Sequence, residues 1–212
     1  MRVIDLGLVA YREAWDFQVA LAQEVAEGGE DALVLVEHPP VLTLGASFQD
    51  ANLLMAVERY RDHGIDVVRT DRGGDVTYHG PGQLVMYPVF DVARHGRDLH
   101  VWLRSLEEAV ITALKSLGLE GRRFPPHTGV WTGPANDPKK VAAIGIKVKR
   151  WVNLHGIALN CDNDLRPFSL IVPCGIHGYG VTSVSEATGR RVGPDRAKGP
   201  CVEAFGQVFP DA

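Results

Sequence analysis

The chain has 212 residues, 45% of them hydrophobic and 23% charged, with a formal net charge of -4. That length suits one domain spanning 1–212 with a substantial core, and the composition is that of an ordinary globular protein. The acidic balance argues against a whole-protein nucleic-acid footprint, and no run reaches the roughly 18 apolar residues expected of a membrane span.

In chain order, residues 2–9 read as a short β-segment. A helix fits 11–26, where Ala14, Phe17, Leu21 and Val25 recur at helical spacing before Gly28 and Gly29. Residues 32–36 form a continuous apolar strand, 41–44 another, and 52–61 a weaker helix stopped by Gly64. Strands at 66–69 and 83–90 bracket a glycine-rich loop. The clearest helix runs over 99–117 after an N-cap at Asp98; its stripe is Leu99, Trp102, Leu103, Leu106, Val110, Ala113 and Leu117, with Gly118 as the stop. Residues 141–149 alternate, with Ile144, Ile146 and Val148 on one face and Lys147 and Lys149 on the other, and pair with 151–159 as a hairpin. A last helix covers 202–209. Strands outnumber helices and come in runs, so the fold class is α+β rather than a regular βαβ repeat.

The three cysteines include no C-x-x-C pair, which favours free thiols in a reducing compartment. The N-terminus lacks a basic region followed by an apolar stretch, so a cytoplasmic protein is expected.

Three segments carry the chemistry. Arg72, Gly73, Gly74, Asp75, Val76, Thr77, Tyr78 and His79 are followed by Gly80, Gly82 and Gln83. Glycine content alone favours two hairpin turns, but the density of polar side chains tips the segment toward a ligand-facing loop. Neither the P-loop nor the dinucleotide-binding spacing is present. Cys174 lies between Pro173 and Gly175, on a turn that would hold a thiol out of the core. Free cysteine is otherwise a small buried hydrophobe, which is the reading for Cys161 and Cys201.

A thiol near pKa 8.5 is only a few per cent ionised at neutral pH, so a nucleophile needs a cation or base beside it. Lys140, His79, His155 and His177 are the available partners. Lys140 by itself also reads as a solvated charge at a strand start. Cys174 with His177 is a possible zinc half-site, but no second close pair completes it and no metal is expected. His38 reads as structural or as pocket-lining. Lys139, Lys140, Lys147, Lys149 and Arg150 form either the solvated face of a strand or a landing site for acidic proteins. Together the segments suggest a cysteine nucleophile, a lysine partner and a glycine-lined groove, hence an acyltransferase.

Residues 72–88, 140–160 and 168–176 then resemble, block by block and in order, the signature of lipoate-protein octanoyltransferases, also called lipoyl(octanoyl) transferases. The resemblance implies a mixed β-sheet flanked by helices, similar to the catalytic domains of biotin and lipoate ligases. It implies transfer of an octanoyl group from acyl carrier protein to a lysine on lipoyl domains of 2-oxoacid dehydrogenases and of the glycine-cleavage H protein. By position, Cys174 would carry the acyl-thioester and Lys140 would lower its pKa and shuttle protons. Substrate contacts would come from Arg72 to His79, from Ala143, Ile144 and Gly145, and from Gly156, Ile157 and Ala158. Backbone N–H groups near Gly73, Gly74 or Gly156 would serve the oxyanion. No cofactor, ATP or metal is implied, because a thioester is already activated.

Lys139 adjoins Lys140, and strand alternation sends the two side chains to opposite faces, so only one can face the cysteine. An ATP-dependent lipoate or biotin ligase of the same fold is the second reading, and a non-catalytic carrier-binding module the third.

Overall fold

Apolar runs too long for a one-sided sheet dictate the architecture. The computed structural model describes residues 1–175 and 178–210, Cys174 by its backbone alone. The elements are β1 (Arg2–Leu8), α1 (Tyr11–Ala26), β2 (Ala32–Glu37), β3 (Val41–Leu44), α2 (Val57–Asp62), β4 (Asp66–Arg69), β5 (Val76–His79) and β6 (Gln83–Val89). They continue with α3 (Leu99–Ser116), β7 (Arg122–Phe124), β8 (His127–Thr132), β9 (Lys139–Lys149), β10 (Val152–Asn160), β11 (Gly180–Val181), α4 (Val184–Thr188) and α5 (Pro194–Val208).

Among the described residues, eight strands form one mixed sheet in the order β1-β2-β6-β10-β9-β8-β7, with β11 added beside β9. A smaller sheet has the order β4-β3-β5. The α+β reading holds. Every residue of β6 and β10 is buried, as expected of strands covered on both faces. On one face α1 lays Ala14, Leu21 and Val25 against Val34, Val36 and Val85. On the other, Trp102, Leu106 and Val110 of α3 and Phe205 of α5 pack on Leu33, Leu84 and Met86.

Asp98 caps α3 as expected, its carboxylate accepting from the N–H of His100 and of Val101. The 141–149 hairpin also forms, turning through Arg150 and Trp151, both at positive φ. Four expectations are corrected. Gln18 is buried in the α1 stripe while Phe17 is partly exposed, because Gln18 Oε1 accepts the His155 N–H at 2.9 Å. Leu99 is largely exposed at the start of α3. The helix expected at 52–61 splits into a single 3-10 turn at Asp50–Asn52 and the short α2, since Asn52 is engaged elsewhere and Leu53 bridges to Ile171. The last helix begins at Pro194, eight residues before the expected start, because proline is tolerated in a first turn and Ala197 and Cys201 pack with the α3 core.

The strand β5 lies inside the segment read as a loop, and β7, β8, β11 and α4 were not anticipated. Among the described residues, no helix is long and apolar enough to cross a membrane.

Candidate active site

The glycine-rich segment leaves the small sheet and is tied down by its own arginine. Arg72 is buried, and its Nη2 donates to the Thr43 carbonyl at 2.6 Å and to the Asp75 carbonyl at 2.7 Å, while Nε donates to Thr43 Oγ1 at 3.1 Å. Its Nη1 donates to the Gly73 carbonyl. The Gly73 N–H then donates to the Ile146 carbonyl at 2.8 Å, joining the loop to β9. That bond uses the Gly73 N–H, so Gly73 is withdrawn as an oxyanion donor. The close approach requires glycine opposite: a Cβ on Gly145 would sit 2.7 Å from the Gly73 carbonyl oxygen.

Beneath this loop lies a cavity of about 390 Å³. Its walls include Arg72, Gly73, Gly74, Asp75, Thr77 and His79 from the loop and β5, Ala143, Ile144 and Gly145 from β9, and Gly156, Ile157 and Ala158 from β10. Of the expected contacts, Val76 and Tyr78 do not line it. β5 is a strand, so alternate side chains point away, and Tyr78 packs edge-on against Phe168 instead. Tyr11, Val85, Tyr87, Leu103 and residues 126–128 also line the cavity. Helical spacing could have marked Tyr11 as inward-facing; nothing local marks residues 126–128. Both Lys140 and Ile146 border the cavity, six residues apart, so it extends roughly 20 Å along β9.

Around Tyr11 the tyrosine and histidine side chains are polar but uncharged. His79 donates from Nδ1 to Gln83 Oε1 at 2.8 Å and accepts at Nε2 from Thr43 Oγ1, a tautomer assigned by the network. Burial, with the charges of His38 and Arg72, pushes His79 down to about 3. His38 donates to the Val9 carbonyl and accepts from Tyr87, and burial lowers it to about 4. Burial also lowers His155, against the pull of Asp71 at 2.8 Å. Burial raises Tyr11 to about 12 and holds Tyr87 well above the usual phenol range. These groups are uncharged at neutral pH, and Tyr11, His79, Tyr87 and His155 line the cavity, an environment of aromatic rings that suits an alkyl chain. His155 keeps a positive φ of 57°, held by Gln18, Asp71 and Tyr11. These bonds make its imidazole part of the cavity wall.

Lys140 is buried, whereas Lys139 is half-buried and lies along Gly180. Lys140 borders the main cavity and also a small hollow shared with Thr77, Ala143, Ala158 and Pro173. Pro173 begins the 3-10 turn Pro173–Gly175, which carries the Cys174 backbone. Before the turn, the Val172 N–H donates to the Asn52 carbonyl at 2.9 Å. After it, Gly180 and Val181 pair with Lys139 and Lys140. A Cβ on Gly175 would lie 3.1 Å from Asp75 Oδ2 and 3.2 Å from Asn52 Nδ2, so the turn rests on that hydrogen-bonded pair. The Cys174 side chain and His177 lie outside the described residues. Cys161 and Cys201 are buried as expected; burial raises both thiols, Cys201 to about 12.

Residues 10–206 match the family described as the lipoyl protein ligase A/B catalytic domain. An octanoyltransferase from Roseiflexus sp. (strain RS-1) is 49% identical over 195 residues, 91% of this chain and 80% of the relative. The chain belongs to the octanoyltransferases of that family. It is an acyltransferase whose activity is octanoyl transfer in protein lipoylation. The fold is shared more widely than the sequence. A bipartite lipoate protein ligase from Thermoplasma acidophilum superposes with a TM-score of 0.73 at 20% identity, over 99% of this chain and 83% of that one. Biotin protein ligase from Aquifex aeolicus gives 0.55 at 11% identity, over 99% and 69%. The expected biotin- and lipoate-ligase-like architecture therefore stands. Every expected site position falls within the matched span, Cys174 and Lys140 included.

Proposed function

We propose that this octanoyltransferase works through a thioester on Cys174, with Lys140 moving the protons, and that residues 1–212 act as one catalytic domain. The supporting observation is the place of Lys140: buried, on the wall of the main cavity and on the hollow that reaches Pro173, the neighbour of Cys174. A lysine there is a cation beside the turn that carries Cys174, and a cation is what a cysteine nucleophile needs.

In the first half-reaction the Cys174 thiolate attacks the octanoyl carbonyl of the carrier protein's thioester. The new C–S bond forms as the old one breaks, and the Lys140 ammonium gives a proton to the departing carrier thiolate. In the second, the ε-amine of a lipoyl-domain lysine attacks the Cys174 thioester. Neutral Lys140 accepts the proton that amine releases, and the Cys174 thiolate leaves. The lysine returns to its starting state and the amide is the product. Sulfur-to-sulfur exchange is nearly isoenergetic, whereas amide formation is downhill and makes the sequence one-way.

The cavity serves the chain. With the carbonyl near Lys140, an octanoyl tail runs past Ala143 and Ala158 toward Gly145 and Gly156, where the Arg72 loop closes over β9. Burying its six methylenes contributes about 4–5 kcal/mol. Octanoyl-acyl carrier protein is the donor; lipoyl domains of 2-oxoacid dehydrogenases and the glycine-cleavage H protein are the acceptors. Exposed Lys147, Lys149 and Arg150 at the β9–β10 turn offer an acidic carrier a steering surface. The setting is cytoplasmic, where a free thiol persists.

Mixing the protein with octanoyl carrier protein should yield a species one octanoyl group heavier by intact mass, absent in Cys174→Ala. Rapid-quench samples of an active enzyme that never show this adduct would overturn the covalent route. Full activity with free octanoate and ATP, and none with the carrier-bound group, would favour the ligase chemistry instead.

A further inference from the structure

Lys140 has an unusual neighbour. Trp131 stands opposite it in the β8–β9 register, and Lys140 Nζ lies 4.8 Å from the centre of the indole ring. Trp131 is itself buried. Among the described residues, the Lys140 ammonium has no carboxylate and no hydrogen-bond acceptor within reach; the aromatic face is what it meets. A carboxylate in that place would hold the proton firmly and cancel the field that a nearby thiol needs. A ring quadrupole attracts the ammonium but takes no proton, so the lysine is steadied while its charge remains available.

The same ring holds a second partner. Tyr179 meets Trp131 edge-on at 5.7 Å, and it also packs against Phe124 at 5.2 Å and His127 at 5.6 Å. Tyr179 lies on the segment that returns from Cys174 to pair with β9 at Gly180. One indole therefore touches both the lysine and the chain just beyond the cysteine.

We propose that Trp131 is a positioning residue for the transfer reaction: its ring sets the Lys140 ammonium beside the Cys174 turn and, through Tyr179, holds the chain where it joins β9 to the same support. This inference rests on the Cys174–Lys140 reading above. Trp131 is assigned no part in bond making or proton transfer; it acts through Lys140.

Fluorinated tryptophan tests this with almost no change of shape, since each fluorine weakens the ring quadrupole. The protein is made with tryptophan or its mono-, di- or trifluoro analogue, both as the natural chain and as Trp131→Phe, which retains the other three tryptophans. Single-turnover acylation by octanoyl carrier protein is followed by intact mass, with Tm recorded for each sample. The acylation rate should fall stepwise, by about tenfold across the series in the natural chain, at constant Tm. It should not respond to fluorine in Trp131→Phe, and Trp131→Phe should keep more activity than Trp131→Leu. A flat series in the natural chain, or the same slope in Trp131→Phe, overturns the inference. Lys140→Met separates the two levels: if it abolishes acylation while fluorination does nothing, the lysine reading stands and the Trp131 role falls. Wild-type acylation by Lys140→Met would remove both.

Discussion

Asn52 Nδ2 donates to Asp75 Oδ2 at 2.6 Å, and this buried pair is the surface on which Gly175, the residue after the cysteine, rests. The other carboxylate oxygen accepts the Val76 N–H at 2.7 Å. Asp75 thus joins the start of β5, the Asp50–Asn52 turn and the Cys174 turn, three segments far apart in the chain.

Asp75→Ala should therefore act on both stability and rate. Loss of the carboxylate leaves the Asn52 amide and the Val76 N–H without their acceptor, at about 1–3 kcal/mol each. Urea unfolding should show the loss, and the Cys174 adduct should form at least about tenfold more slowly. Asp75→Asn, which keeps an acceptor, should recover part of both. An adduct rate unchanged in Asp75→Ala would refute the positioning role.

Two glycines should respond in opposite directions to the same substitution. In Gly145→Ala the new methyl meets the Gly73 carbonyl, a backbone atom that cannot swing aside, so about 1–3 kcal/mol of stability should be lost together with octanoyl transfer. Gly206 lies within α5 with nothing inside 4 Å of its would-be Cβ. Gly206→Ala should raise stability by about 0.5–1 kcal/mol and leave transfer untouched. Denaturation curves on the two variants decide the matter.

Chain-length preference should follow the cavity wall. Ala143 borders both the main cavity and the hollow by Pro173, on the path assigned to the acyl tail. Ala143→Leu should lower octanoyl transfer relative to butanoyl transfer by about tenfold or more, since each excluded methylene forfeits about 0.8 kcal/mol. Competition between the two acyl carriers measures the ratio. An unaltered ratio would mean that the tail lies elsewhere.

Acid should destabilise the fold through two buried histidines, His79 on the cavity wall and His38 packed against it. His38 and His79 are held neutral, at about 4 and about 3, against an ordinary value of 6.5. Their folded pKa values are depressed, so the folded protein binds fewer protons than the unfolded chain once pH drops below 6.5. Their stabilisation is complete above that value and declines as pH falls from 6.5 toward 3. Each contributes a slope of up to about 1.4 kcal/mol per pH unit in that window. Urea unfolding between pH 7 and pH 4 should reveal it, and His79→Gln should remove about one proton from the slope. An identical slope in His79→Gln would show that His79 is not held neutral.

Much of the site was legible without coordinates. Local periodicity placed α1 and α3 because their apolar stripes and the Asp98 cap are encoded within a few residues of each other. The residues of the Arg72 loop, of β9 and of β10 stood out by type and order, and the structure gathers most of them around one cavity. Orientation was the part that stayed hidden. Val76 and Tyr78 belong to the same run as Thr77 and His79, yet they point away, because β5 pairs with β3 in a second sheet.

The choice between Lys139 and Lys140 shows most clearly where sequence ends. Ideal alternation would put Lys139, not Lys140, on the side of Ala143 and Gly145. Opposite β8, however, the register slips: Trp131 pairs with Lys140, but Val130 pairs with Ala142. That bulge turns Lys140 onto the cavity wall and leaves Lys139 beside Gly180. Residue types and their order determined which family and which chemistry this chain carries. Which ammonium faces the thiol's turn was decided by pairing with β8, a strand the local pattern did not reveal, because register between strands is a property of both partners.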